Sequence, residues 1–254
     1  MATDYDELGA QYLLTKSLPW KHFTERYTFF KAVGEVRGLQ LLDVACGEGF
    51  YSRQFRDAGA EVVGVDISCE MIRLAKEKEA QQSKGIRYEV ADATALAQFV
   101  EQTGLKHFDL AVAEWLLDYA DTLEMLRQMC RSLASVVKPG GRFIHLGGCF
   151  DSIFNHPETF PFYGIELEIL NSGGDGSRCR WTVSADGESV SAENTMWTPA
   201  TITTELEAAG FTDVQWPAAE IGAKGIETMG QDYWLEYLKH PYHAVTTATR
   251  LENF

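Results

Sequence analysis

The sequence predicts an α/β protein: a doubly wound, mostly parallel seven-stranded sheet with an N-terminal helical cap and a small antiparallel insertion after the fifth strand. Three observations carry this. Short apolar runs alternate with amphipathic segments from Leu39 to Gly148. The first run ends in an acid and passes through a glycine-rich turn into a helix. After Gly148 the alternation gives way to strand-like segments separated by turn residues.

Taken in order, residues from about Asp4 to Val36 read as helical and are rich in aromatic side chains, forming a cap over residues 1–38. LQLLDVAC is the first strand, followed by a helix from Tyr51 to Ala58, the strand AEVVGVDI and a helix from Glu70 to Gln82. IRYEVADA, a polar helix, FDLAVAEWLL, a helix from Thr122 to Val137, the turn KPGG and the strand RFIHLGG complete a core over 39–148. Five strands alternating with helices imply a parallel sheet covered on both faces. IELEIL, RCRWTVSA and SVSAENTMW read as antiparallel strands of an insertion over 149–198. In 199–254, Thr198 precedes Pro199 at a helix start and Gly210 ends that helix, and FTDVQW and HAVTTATRLE then complete the sheet. The 254 residues read as a single domain.

Composition narrows the function. With 45% hydrophobic and 23% charged residues the chain buries a sizeable core. A net charge of −15 opposes binding to nucleic acid or anionic membrane. Five scattered cysteines with no C-x-x-C pair suggest neither a disulfide framework nor a zinc site. The acidic, polar N-terminus is unlike a signal peptide, and no apolar run reaches membrane-spanning length, so a cytoplasmic protein is expected.

The chemistry concentrates at the ends of the predicted strands. In LLDVACGEGFYSRQF, Gly47 and Gly49 let the backbone turn sharply and approach a ligand, and the following helix offers free N–H groups. Asp43 beside that turn suits an ammonium group and repels a pyrophosphate, and Ser52 stands where a dinucleotide fingerprint needs its third glycine. Asp66 closes the second strand 19 residues after Gly47, well placed for two ribose hydroxyls, although it equally suits a helix cap. Ile67 and Met71 are candidates to cover an adenine face. Asp92 and the Ala93 N–H, past the third strand, match an exocyclic amine and a ring nitrogen. Glu114 and Trp115 end the fourth strand at the carboxyl edge, where such sheets bind ligands.

These motifs, in this order and spacing, resemble the class I S-adenosylmethionine-dependent methyltransferases over Leu39 to Gly148. The resemblance implies their Rossmann-like fold and S-adenosyl-L-methionine as cofactor. It implies that the turn from Ala45 through Cys46 to Gly47 holds the methionine portion, Asp66 the ribose and Asp92 the adenine amine. Tyr12 in the cap joins this set. YDELGAQYLLTKSLPW, LDVACGEGFYSR and GIETMGQDYWLEYLKHPY resemble the toxoflavin-synthase-like branch, whose members methylate azapteridine nitrogens.

A flat, mostly neutral heteroaromatic acceptor, methylated on nitrogen, is expected between the cap and the insertion, on Tyr5, Trp20, Tyr27, Trp115, Tyr163, Trp181 and Trp197. These rings also suit simple packing of the cap onto the sheet. If the nucleophile must lose a proton, His145, Glu114 and His22 are candidate bases; a ring nitrogen with a free lone pair needs none. O- or C-methylation stays open, as do a nicotinamide-dependent reductase and a non-enzymatic nucleoside-binding module. No G-x-S-x-G elbow appears, and His240 and His243 lack a third metal ligand nearby, so no metal is expected.

Overall fold

The structure, a computed structural model, describes residues 16, 18–171, 173–185 and 188–252. Tyr5 and Tyr12 lie outside the described residues. A π-helical turn, Lys21–Glu25, runs directly into helix α1, Arg26–Val33. The chain then alternates through β1 (Gln40–Val44), α2 (Phe50–Asp57), β2 (Glu61–Asp66), α3 (Cys69–Gln81), β3 (Arg87–Val90), α4 (Leu96–Thr103), β4 (Phe108–Glu114), α5 (Leu123–Val136) and β5 (Val137–Gly148). The insertion holds α6 (Phe150–Asn155), a 3-10 turn at Pro157–Tyr163, and β6 (Glu166–Asn171), β7 (Ser177–Ala185) and β8 (Glu188–Met196). It is followed by α7 (Pro199–Ala208), β9 (Phe211–Gln215), α8 (Ala223–Met229), α9 (Gln231–Lys239) and β10 (His243–Arg250).

The main sheet has seven strands in the order β3-β2-β1-β4-β5-β10-β9. β1 to β5 pair in parallel, and β10 lies antiparallel to both β5 and β9. β6, β7 and β8 form a separate antiparallel sheet. The Rossmann-like α/β architecture expected from the sequence is therefore present.

Local chemistry explains the boundaries. Ser68 caps α3 by accepting from the Met71 N–H, and Thr198 caps α7 by accepting from the Thr201 N–H ahead of Pro199. Gly210 leaves α7 with φ of 94°. KPGG is not a free turn: the strand runs through it from Val137, with a register shift against β4 between Phe108 and Leu110.

Helices on both faces bury the sheet. α4, α5 and α7 cover one face over Ala111, Ala113 and Phe143. Phe29 and Val33 of α1 join Phe55 and Ile72 over Leu110, Val112 and Leu146 on the other. A third cluster unites Trp20 of the cap segment, Phe160, Tyr163 and Trp181 of the insertion, and Trp234 and Tyr237 of α9. No helix is expected from the sequence over 223–239, and α9 within that span supplies Trp234 and Tyr237 to this cluster.

Candidate active site

β1 leads outward through β2 and β3 in one direction, while β4 and β5 lie on its other side, so a crevice opens at the carboxyl ends of β1 and β4. A cavity of about 370 Å³ fills it. Its floor is the β1–α2 turn, Val44 to Glu48. Asp66, Ile67 and Met71 line it from the end of β2, and Ala91, Asp92 and Ala93 from the end of β3. Glu114 and Trp115 enter from β4, Met125 and Met129 from α5, and Lys21, His22, Glu25 and Arg26 from the cap.

The turn is built for close approach. Gly47 and Gly49 have φ of 54° and 82°, and a Cβ on Gly47 would meet nothing within 4 Å, so its open side faces ligand space. A Cβ on Gly49 would instead lie 2.3 Å from the hydroxyl of buried Tyr88. Gly49→Ala is therefore expected to cost about 2 kcal/mol or more, from positive φ and overpacking together. Thermal unfolding checks this, and an unchanged melting temperature would refute the tight fit. Two non-glycine residues at the cavity, Ala45 and Trp115, also have positive φ, 61° and 60°. Such backbone strain concentrates where ligands are held.

Asp66 orders the floor. Its Oδ2 accepts from the Gly47 N–H at 2.8 Å and its Oδ1 from the Ser68 N–H at 2.8 Å. The cap of α3 is Ser68, which leaves the Asp66 carboxylate at the cavity rather than in the cap. Asp92 is exposed and is shaped by Thr94, whose N–H and hydroxyl both donate to its Oδ1. Glu48, almost fully buried, is paired with Lys16 and with Lys78.

Asp43 is corrected as a direct ligand contact. It is fully buried outside the lining, and its carboxylate accepts from the Ser52 hydroxyl, tying β1 to the first turn of α2. Its influence on a ligand passes through the turn. Burial pushes Asp43 up to about 6, and burial next to Asp43 holds the Glu114 carboxyl well above the usual range. Among the described residues neither Asp43 Oδ1 nor Glu114 Oε1 accepts a hydrogen bond. Burial likewise pushes up the Cys46 thiol, leaving it inert at the turn.

His145 is also corrected. It is 2% exposed, lies outside the cavity, and its Nε2 accepts the Leu117 N–H, so the lone pair a base would use is occupied. Trp20, Tyr163 and Trp197 do not reach the cavity either. Trp20 sits between the rings of Tyr237 and Tyr242, and the Tyr163 hydroxyl donates to the Tyr233 carbonyl and accepts from the Tyr237 N–H. Trp197 donates to the Ala120 carbonyl. Trp181 packs in the third cluster, and the exposed Tyr27 lies against Gly222. His240 stacks on His156, whereas His243 is buried against the Tyr237 hydroxyl. Among the described residues no group of three or more His, Cys, Asp or Glu is placed to hold a metal, and no helix is long and apolar enough to cross a membrane.

The cavity also recruits residues the sequence reading missed: Phe50, Tyr51 and Tyr119 as rings, Met125 and Met129 one turn apart on α5, and Lys21, Glu25 and Arg26 from the cap. The methionines looked like ordinary core. The run KHFTER, four ionisable side chains inside an aromatic segment, was the available signal.

Below the site, Asp118 is buried and its Oδ2 accepts the Gly148 N–H at 2.9 Å. Burial pushes its carboxyl up to about 7 from an ordinary 3.8. The folded state therefore keeps a proton that the unfolded chain releases near pH 4, and stability falls as pH rises from there through about 7. Asp118→Asn, which retains an acceptor, is expected to gain a few kcal/mol above about pH 7 and little below about pH 4. Urea unfolding at the two extremes checks it, and an equal effect at both would contradict the shift. His145 and His243 act in the opposite sense: burial pushes both down to about 3, so the stability they contribute is complete above pH 6.5 and is lost as pH falls towards 3.

A strand–glycine turn–helix floor, carboxylates closing the second and third strands, and the 3-2-1-4-5-7-6 order of the sheet together define the class: an S-adenosylmethionine-dependent methyltransferase fold. Residues 42–145 match the family described as methyltransferase domain. The malonyl-[acyl-carrier protein] O-methyltransferase of Pseudescherichia vulneris is 40% identical over 109 residues, 43% of this chain and 39% of that one. The demethylmenaquinone methyltransferase of Renibacterium salmoninarum is 30% identical over 173 residues, 67% of this chain and 65% of that one. The chain thus spans less than two thirds of the length of these relatives. An S-adenosylmethionine-dependent methyltransferase from Mesorhizobium loti shares the fold with a TM-score of 0.61 at 22% identity, over 89% of this chain and 97% of that one.

Proposed function

We propose that the chain, read as one methyltransferase unit over residues 1–254, methylates a ring nitrogen of a planar heteroaromatic metabolite in the cytoplasm, as the toxoflavin-synthase-like resemblance implies. The observation that carries the reading is one cavity in which an open glycine turn, Asp66 and Asp92 meet an aromatic wall of Phe50, Tyr51, Trp115 and Tyr119. S-adenosylmethionine supplies a methyl group on a sulfonium, which a nucleophile held in line with the breaking bond accepts. The residues present fit that group. The Ala45–Gly47 backbone offers the approach for its methionine part, Asp66 two carboxylate oxygens for ribose hydroxyls, Asp92 and Ala93 a matched pair for adenine, and Ile67 and Met71 apolar cover.

The protein's remaining work is orientation and exclusion of water. Trp115 and Tyr51 line the cavity with rings on which a flat acceptor stacks, and Trp115 Nε1 is a buried donor with no partner among the described residues. With the His145 Nε2 occupied by the Leu117 N–H, the site favours an acceptor that arrives with an available lone pair. A second reading, O-methylation, is supported by the likeness to the malonyl-[acyl-carrier protein] enzyme. Turnover assays with labelled S-adenosylmethionine against panels of azaheterocycles, phenols and carboxylic acids separate the two. Product from phenols or acids alone would defeat the ring-nitrogen reading.

A further inference from the structure

The cap carries its charge to the cavity through an unusual turn. The Arg26 N–H donates to the Lys21 carbonyl, five residues back, as in a π-helix, so Arg26 sits over Lys21 on one face of the segment. In α-helical geometry residues five apart point to different sides. Through this widening Lys21, His22, Glu25 and Arg26 all line the cavity. The four are not equivalent. Glu25, 1% exposed, accepts from the Tyr51 hydroxyl at 3.0 Å and from Lys21 Nζ at 3.3 Å, so it offsets the lysine. Arg26 has no ion-pair partner among the described residues, in a chain with 37 acids against 22 basic side chains. Lys21 Nζ also lies 5.2 Å from the centre of the Trp115 ring, whose buried Nε1 donor is unsatisfied. A partly buried guanidinium, a half-neutralised ammonium and an idle indole N–H border one cavity.

We propose that this cap face is the acceptor's recognition site and that it selects a delocalised oxyanion on a planar molecule, with Arg26 carrying the charge recognition and Lys21 and Trp115 Nε1 completing the donor set. This deepens the acceptor assignment above and rests on the same cavity, but it holds whether nitrogen or oxygen is methylated. Charge is divided along the cavity: carboxylates Asp66 and Asp92 at the β2 and β3 ends, cations at the cap. Arginine suits such a group because its planar fork meets an oxyanion with two donors at once. The anion can be a carboxylate or a deprotonated ring amide, in which charge is shared between nitrogen and carbonyl oxygen.

Calorimetric titration tests both sources, with and without S-adenosylhomocysteine. Lumazine, whose ring amide ionises, is compared with 1,3-dimethyllumazine, which cannot, and benzoate is compared with benzamide. In the wild-type protein at least one anion is expected to bind about ten-fold or more tighter than its neutral counterpart. Preference for lumazine alone assigns a ring amide, and for benzoate alone a carboxylate. Arg26→Ala is expected to reduce that preference to near parity, and Arg26→Lys to restore only part of it, while S-adenosylhomocysteine affinity and melting temperature change little. Lys21→Ala gives an independent second loss. Equal binding of anion and neutral partner by the wild type, no saturable binding of either anion, or a preference that survives in both alanine variants overturns the proposal. Failure of S-adenosylhomocysteine to bind overturns the cofactor assignment instead, because the anion preference is read in the titrations without it.

Discussion

Replacing Asp66 by alanine is expected to weaken S-adenosylhomocysteine binding by about 1.5–3 kcal/mol, roughly ten- to a hundred-fold, while the protein stays folded. Two effects add. The carboxylate assigned to the ribose is gone, and the Gly47 N–H that it holds at 2.8 Å is released, so the floor of the cavity loses its order. The fold survives because Ser68 and not Asp66 caps α3. Asp66→Asn keeps an acceptor for Gly47 and is expected to fall between. Calorimetry with thermal unfolding on the same samples separates binding from folding. Normal affinity in the folded fraction, with a collapsed melting temperature, would reduce Asp66 to a structural tie and remove the ribose assignment. NADH and ATP are expected not to compete with S-adenosylhomocysteine, since the third glycine of the dinucleotide fingerprint is absent at Ser52.

Trp20→Ala is expected to cost about 3–5 kcal/mol of stability, in the range of a large aromatic deletion from a core, with cofactor affinity intact in the fraction that remains folded. The indole is 1% exposed, with ring centres 6.2 Å from Tyr237 and 5.3 Å from Tyr242. Its Nε1 has no partner among the described residues, so Trp20→Phe loses packing but none of their hydrogen bonds and is expected to be much milder. Urea denaturation of both variants gives the answer. An unchanged midpoint with abolished turnover would restore Trp20 to the acceptor wall.

The contrast between these two residues marks where sequence reading succeeds. Asp66 was legible because its setting is local: an acid ending a strand, a fixed distance from a glycine turn, in a fold that places strand ends along one edge. Ala45, Cys46, Gly47, Ile67, Met71, Asp92, Ala93, Glu114 and Trp115 were legible for the same reason, and the structure brings all of them to one cavity. Trp20, Tyr163 and Trp197 were not, because an aromatic side chain suits a ligand wall and a core equally well, and only its neighbours decide. The neighbours of Trp20 and Tyr163 come from α9, far along the chain, and from the 3-10 turn before β6, and those of Trp197 from the core around Ala120.

His145 makes the same point at a single atom. Its place at the end of β5 could be read from the sequence, but the Leu117 N–H that occupies its Nε2 belongs to a turn after β4, 28 residues away. Arg26 is the converse case. The π-helical turn, which no residue pattern announced, seats it over Lys21 at the cavity.

What the sequence by itself determined is therefore the sheet, the cap of α7, the glycine turn and the strand-end carboxylates. Each depends on backbone preferences and hydrogen bonds that close within a few residues. What only the tertiary structure decided is which face each cap and insertion side chain shows, which buried groups keep or lose a proton, and which charges remain unpaired. Those depend on packing and desolvation by segments distant in the chain, and no local pattern records them.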